Sequence, residues 1–182
     1  FPPFIYFSPI LWGSMIPFRS LSGKSLLASL LGIITPYWFL FGYCFYFDQM
    51  PLFLAPLQEM ILFYPIDYGH LTISEIASWG TITLLLIISG FHYWQMSYMD
   101  KTRTRIYHSF LVIVGLYVTL WSILQPNYMR ELMVIELICA SFLSGHLFTL
   151  TRNRFSGIFF IVTFVTVTLL TIYNLWMQFF NF

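Results

Sequence analysis

The chain alternates between long apolar runs and short polar breaks, and the runs have the length of a bilayer rather than of a soluble core. A hydrocarbon layer about 30 Å thick needs roughly 20 apolar residues of helix to cross it. Six stretches approach that length: residues 2–18, 25–47, 73–96, 106–125, 130–150 and 155–180. The first, "PPFIYFSPILWGSMIPF", is short and carries Pro2, Pro3, Pro9 and Pro17, so a kinked, re-entrant or truncated element is expected there. The pattern predicts an all-α fold: a polytopic transmembrane helix bundle of about six spans forming one domain.

The breaks carry helix-boundary chemistry. Thr72 and Glu75 have the T-x-x-E spacing of a capping box just ahead of the third span. Ser25 is the expected cap of the second span, after Gly23. Pro126 and Asn127 end the fourth span. Pro36 lies inside the second span and predicts a kink. The longest break, residues 48–72, is apolar for a loop; Pro56 ahead of "LQEMILFY" predicts a short helix lying in the outer interface of the membrane or dipping into it, as a lid packed over the bundle or as a re-entrant element lining a substrate path.

Composition sharpens the class. Hydrophobic residues make up 59% of the chain, aromatics 21% and charged residues 8%. A soluble domain carries about 25% charged residues. So few charges cannot wet a fold of this size, and lipid is the natural solvent. The net charge of +1, with no basic arm, gives no reason to expect a nucleic-acid partner. Cys44 and Cys139 fall in apolar runs without a partner at metal-ligand spacing, and read as small buried hydrophobes. Residues 1–18 lack the basic start and small-residue cleavage site of a signal peptide.

The charges also set an orientation. On an alternating path Arg19, Lys24, Lys101, Arg103, Arg105, Arg152 and Arg154 fall on one side, leaving only Arg130 of the 8 basic residues on the other. The positive-inside rule makes the first side cytoplasmic. "DKTRTR" (100–105) then reads as a cytoplasmic anchor, and Lys101, Arg103, Arg105, Arg152 and Arg154 as candidates for anionic-lipid contact. Asp48, Glu59, Asp67, Glu75, Glu131 and Glu136, all but one of the 7 acidic residues, lie on the other side or in its half of the membrane.

Ionisable groups inside a span are expensive and single themselves out as candidate functional residues. Glu136, in "RELMVIELICASFLSGH", shares a helix face with Ala140, which forms a small-xxx-small pair with Ser144. It reads as a neutral carboxylic acid hydrogen-bonded to a neighbouring helix, with a proton-relay or cation site as the alternative. Thr163, Thr166, Thr171, Asn174 and Gln178 lie within about 140° on the last span. Asn174 is expected near the depth of Glu136; interhelical hydrogen bonding accounts for the stripe, with the lining of an aqueous path as the alternative. His92, His108 and His146 all sit near the cytoplasmic ends of their spans, where converging imidazoles would suit haem or a metal. Beside Tyr93, Trp94 and Tyr107 they read instead as part of an aromatic belt, and no cofactor is expected. On the outer side His70, Asp67 and the Arg130–Glu131 pair are the groups with acid–base or phosphate-binding capacity, but their spacing matches no catalytic motif.

Residues 19–50, "RSLSGKSLLASLLGIITPYWFLFGYCFYFDQM", resemble an uncharacterised family of polytopic inner-membrane proteins of Bacteroidota. The likeness rests on the basic pair, the "ASLLG" helix start and the kinked "TPYWFLFGY" span. It implies a bacterial inner membrane and a longer full-length chain, and brings no catalytic residues. With the small-residue pairs Ala28/Gly32, Ala140/Ser144 and Ser141/Gly145, the reading that results is an accessory or scaffolding subunit among other membrane proteins. The alternatives are a small transporter, channel or flippase with a path between the last two spans, and a membrane enzyme acting on lipid-linked substrates at the outer face.

Overall fold

A computed structural model describes residues 7–61, 66–150 and 154–180. The described residues form helices and turns and no strand. The chain divides into two compact units, Phe1–Pro65 and Ile66–Phe182.

The first unit holds α1 (Ser8–Ser14), α2 (Gly23–Tyr46) and α3 (Met50–Ile61). With 7 residues α1 is about 10 Å long and too short to cross a bilayer. The expected span over 2–18 is thereby corrected within its described residues: Pro9 is tolerated in the first turn, and the chain leaves the helix before Pro17. Residues 1–6 lie outside the described residues. Trp12 Nε1 donates to Ser29 Oγ at 3.0 Å and ties α1 to α2. The cap of α2 is Ser22 rather than Ser25; its hydroxyl accepts the Ser25 N–H at 3.1 Å. The helix runs on through Pro36, beside which Thr35 Oγ1 donates to the Leu31 carbonyl at 2.6 Å. Pro56 falls inside α3, not at its start, because the helix already begins at Met50 with Pro51 in its first turn. Phe41 and Phe53 meet edge to face at 5.4 Å and join α2 to α3.

The second unit holds α4 (Ile73–Met96), α5 (Thr102–Leu124), α6 (Met129–Leu150) and α7 (Arg154–Phe180). The capping box at α4 is complete: Glu75 Oε2 accepts the Thr72 N–H at 2.9 Å while Thr72 Oγ1 accepts the Glu75 N–H at 3.4 Å. α5 begins at Thr102, so Arg103 and Arg105 belong to its first turn and not to a loop. Among the described residues five helices are long and apolar enough to cross a membrane, which makes this a multi-pass membrane protein. Their antiparallel succession puts Asp100–Arg105 at one end of the second unit, the basic end. Thr72, Glu75 and Arg130 lie at the other, the acidic end.

The core of this unit lies between α4, α5 and α6, where Leu86, Cys139 and Ala140 are buried against Ile82, Leu111 and Val114. Gly115 permits the close approach of α5 to α4: a Cβ placed there would lie 2.4 Å from Leu86 Cδ1. α7 joins through Asn174 on α4 and through Phe159 and Phe160 on Phe148 of α6.

The charge asymmetry makes a direct prediction about topology. A cysteine introduced at Thr102 should resist an impermeant thiol reagent in intact spheroplasts, and one at Gly69 should react. Cys44 and Cys139 are 0% and 2% exposed and add no background. The opposite labelling pattern would reverse the orientation.

Candidate functional site

The three groups singled out by sequence settle into separate places in the second unit: a buried carboxyl, a histidine cluster at the basic end, and a charged cleft at the acidic end.

Glu136 is 0% exposed. Its Oε1 accepts hydrogen bonds from Thr83 Oγ1 of α4 at 2.8 Å and from Thr119 Oγ1 of α5 at 2.7 Å. Thr119 also bonds the Gly115 carbonyl at 2.9 Å, so its hydroxyl bridges its own helix and the acid. The Trp79 indole is a further neighbour of the carboxyl; its Nε1 and Glu136 Oε2 are buried with no hydrogen-bond partner. One carboxyl thus joins α4, α5 and α6. The expected partner, Asn174, is elsewhere: its Nδ2 donates to Ser78 Oγ at 2.9 Å. The correction has a geometric cause. The face that Glu136 shares with buried Ala140 turns toward α4 and α5, not toward the next helix in sequence. Thr83 and Thr119 were missed because hydroxyls are common in membrane helices. The usable signal was their position, since both fall in the acidic-end half of their helices, as Glu136 does.

Among the described side chains of the α7 stripe, only Asn174 is tied to another helix by a hydrogen bond. Thr171 Oγ1 donates to the Val167 carbonyl of its own helix at 2.8 Å, and Thr166 is exposed. The side chain of Gln178 lies outside the described residues.

At the basic end His108 and His146 meet ring to ring, and His92 lies within electrostatic reach of His146. The His108 and His146 ring centres are 4.2 Å apart, and Tyr93 lies 5.7 Å from His108 and 6.0 Å from His146. His146 Nε2 is 3.0 Å from Asp100 Oδ2, with both side chains about nine-tenths buried, at 9% and 10% exposure. His108 Nδ1 lies 2.9 Å from the Thr104 carbonyl. Tyr93 Oη donates to the Arg105 carbonyl at 2.8 Å and lies 2.9 Å from Ser109 Oγ. His92 makes no hydrogen bond through either ring nitrogen. The belt expectation is therefore corrected for Tyr93, which is buried as the centre of this cluster, whereas Trp94 and Tyr107 are exposed. The cluster fastens the α4–α5 turn to α6. Among the described residues no group of three or more His, Cys, Asp or Glu side chains has the geometry to hold a metal ion. Lys101, Arg103 and Arg105 are exposed around the cluster. Arg152 and the side chain of Arg154 lie outside the described residues.

At the acidic end Arg130 Nε donates to Glu75 Oε1, joining α6 to α4. The sequence had grouped Arg130 with Glu131; the ion pair is made with Glu75 instead, 55 residues away. Thr72, Ser78, Met133, Asn174 and Met177 complete a cleft of about 600 Å³ around the pair. Asp67 is not drawn into it: its Oδ1 accepts the Gly69 N–H at 2.8 Å in a local turn. Comparison with protein-family models, with curated proteins and with solved structures finds no match to the chain.

Proposed function

We propose that this protein is an accessory or scaffolding subunit of a bacterial inner-membrane assembly in the cell envelope, holding partner helices rather than carrying out chemistry. One observation carries the reading: of its three small-residue pairs, two remain open. Ala140 is consumed in the core against α4 and α5. Ser141 and Gly145 are exposed on α6, as are Ala28 and Gly32 on α2, and a Cβ at Gly32 or Gly145 would meet nothing within 4 Å. A helix surface that faces only lipid gains nothing from a groove, whereas a partner helix gains close backbone contact there. The resemblance of residues 19–50 to a family of Bacteroidota inner-membrane proteins, and the basic asymmetry, support the membrane and its orientation.

Glu136 supports the same reading. A transport path between α6 and α7 would have its charge on that boundary, yet the carboxyl is engaged by hydroxyls of α4 and α5. The test uses the open grooves. Gly145→Leu and Ala28→Leu should leave the protein folded, because each new side chain enters open space, while weakening partner association about tenfold, the equivalent of 1.4 kcal/mol. The measurement is recovery of stoichiometric partner chains after cross-linking in native membranes. Gly80→Leu is the control: Gly80 is equally open, but Ile76 and Leu84 flank it at helical spacing and leave no groove. Wild-type protein recovered without a stoichiometric partner, or equal recovery from all three variants, would sink the scaffold reading.

A further inference from the structure

The charged cleft at the acidic end is not explained by helix association. Arg130 is the single basic residue on the side of the chain that carries most of the acidic ones. It also sits in the first turn of α6, where a cation opposes the partial positive charge of a helix N-terminus. Glu75 compensates it, and the pair leaves binding capacity on both partners. A guanidinium has five N–H donors, and the bond to Glu75 uses Nε. The Arg130 side chain is 69% exposed, so its remaining donors reach the headgroup layer. A carboxylate offers about four lone-pair sites, and Glu75 commits its oxygens to Arg130 Nε and the Thr72 N–H.

A third group points the same way. Asn174 Nδ2 is fixed by Ser78 Oγ, which leaves Oδ1 buried at the cleft with no hydrogen-bond partner. An orphaned acceptor of this kind is costly unless a donor meets it. The cleft therefore presents donors at Arg130 and acceptors at Glu75 and Asn174, with Met133 and Met177 as an adaptable apolar wall. Its volume of about 600 Å³ lies within the range of small-molecule sites. Glu75 and Arg130 stand in the first turns of α4 and α6, and Asn174 near the end of α7, the level at which a bilayer changes from acyl chain to headgroup.

We infer that this cleft binds phosphoethanolamine, a phosphate joined to a primary ammonium, as the headgroup of a membrane lipid. The phosphate takes the free Arg130 donors, for which a planar guanidinium is well shaped. The ammonium donates to Glu75 and Asn174 Oδ1. The Arg130–Glu75 pair need not open, because the ligand uses sites that the pair leaves available.

The test is native mass spectrometry of the full chain extracted from nanodiscs holding equal fractions of phosphatidylethanolamine, phosphatidylcholine and phosphatidylglycerol. Phosphatidylcholine keeps the phosphate but its trimethylated nitrogen has no N–H to donate; phosphatidylglycerol keeps the phosphate without a cation. Retention of phosphatidylethanolamine should exceed either by about tenfold, the effect of one hydrogen bond to a charged group. Glu75→Gln preserves the capping box, since Gln serves at that position, and should abolish the preference, as should Asn174→Leu. Arg130→Gln, at an exposed position, should weaken retention of all three lipids. Soluble phosphoethanolamine distinguishes the sources: displacement of the lipid shows that the headgroup alone is read, and persistence shows that the acyl chains are held too, both in keeping with the inference. Equal retention of the three lipids, a preference untouched in the folded Glu75→Gln protein, or retention undiminished in the folded Arg130→Gln protein, overturns it.

Discussion

Gly115→Ala is expected to destabilise the helix bundle by about 1–3 kcal/mol, the usual cost of forcing an extra methyl into a packed core. The new Cβ would sit 2.4 Å from Leu86 Cδ1 and 3.3 Å from Leu86 Cγ. A leucine at the surface would swing aside, but Leu86 is 1% exposed and enclosed by Ile82, Leu111, Val114, Cys139 and Ala140. Relief requires Leu86 to turn from its rotamer toward the cavity of about 470 Å³ that it lines with Val112 and Leu116, or α4 and α5 to part. Parting the helices strains the joint at Glu136, because its Oε1 is held by Thr83 of α4 and by Thr119 of α5. The midpoint of SDS-induced unfolding in mixed micelles measures the loss. Adding Leu86→Ala should recover part of it, since the alanine methyl then enters volume that the shortened side chain gives up. Gly80→Ala, where a Cβ meets open space, should leave the midpoint in place. An unchanged midpoint for Gly115→Ala would mean that the helices are not in this register.

Much of this architecture was legible in the sequence because lipid demands unbroken apolar length. The run at 73–96 became α4, Ile73–Met96, and the runs at 130–150 and 155–180 became α6 and α7 with starts one residue earlier. The differences have physical reasons. Over 2–18 the prolines announce a short or truncated element, and the helix indeed ends at Ser14, ahead of Pro17, too short to be a span. The apolar run marks the membrane span from 106, whereas the helix itself begins at Thr102, because Arg is a good helix former and Arg103 and Arg105 extend it. At the sites, a helical wheel gave the face of Glu136 but not the helix opposite it. Helix order in sequence is not helix adjacency in space, so Thr83 and Thr119 stayed hidden. The Glu75–Arg130 cleft was signalled in a different way, by one arginine on the wrong side of an otherwise consistent charge asymmetry.

The strongest test of the buried carboxyl removes its partners instead of the acid. Thr83→Val together with Thr119→Val keeps side-chain shape nearly constant but strips both donors from Glu136 Oε1. A buried acceptor left without donors bears its full desolvation cost, so the double variant should lose about 2–3 kcal/mol. Each single variant should lose less, about 0.6 to 1.7 kcal/mol, the range measured for hydrogen bonds between membrane helices. Glu136→Gln should be mild, because the amide oxygen still accepts from both threonines. The decisive protein is the triple variant Thr83→Val, Thr119→Val, Glu136→Leu. With both threonine donors and the acceptor replaced by apolar groups, the Trp79 Nε1 is the one polar group of this joint left without a partner, as it already is in the wild type, and stability should return to within about 1 kcal/mol of the wild type. Partner recovery in native membranes then separates structure from chemistry. If Glu136 acts as a hydrogen-bonded joint, the triple variant assembles as the wild type does, and so does Glu136→Gln. If both variants fold and assemble while cells carrying them lose the protein's function, the carboxyl is needed for its proton or charge, and the chain moves ions or protons rather than holding its partners.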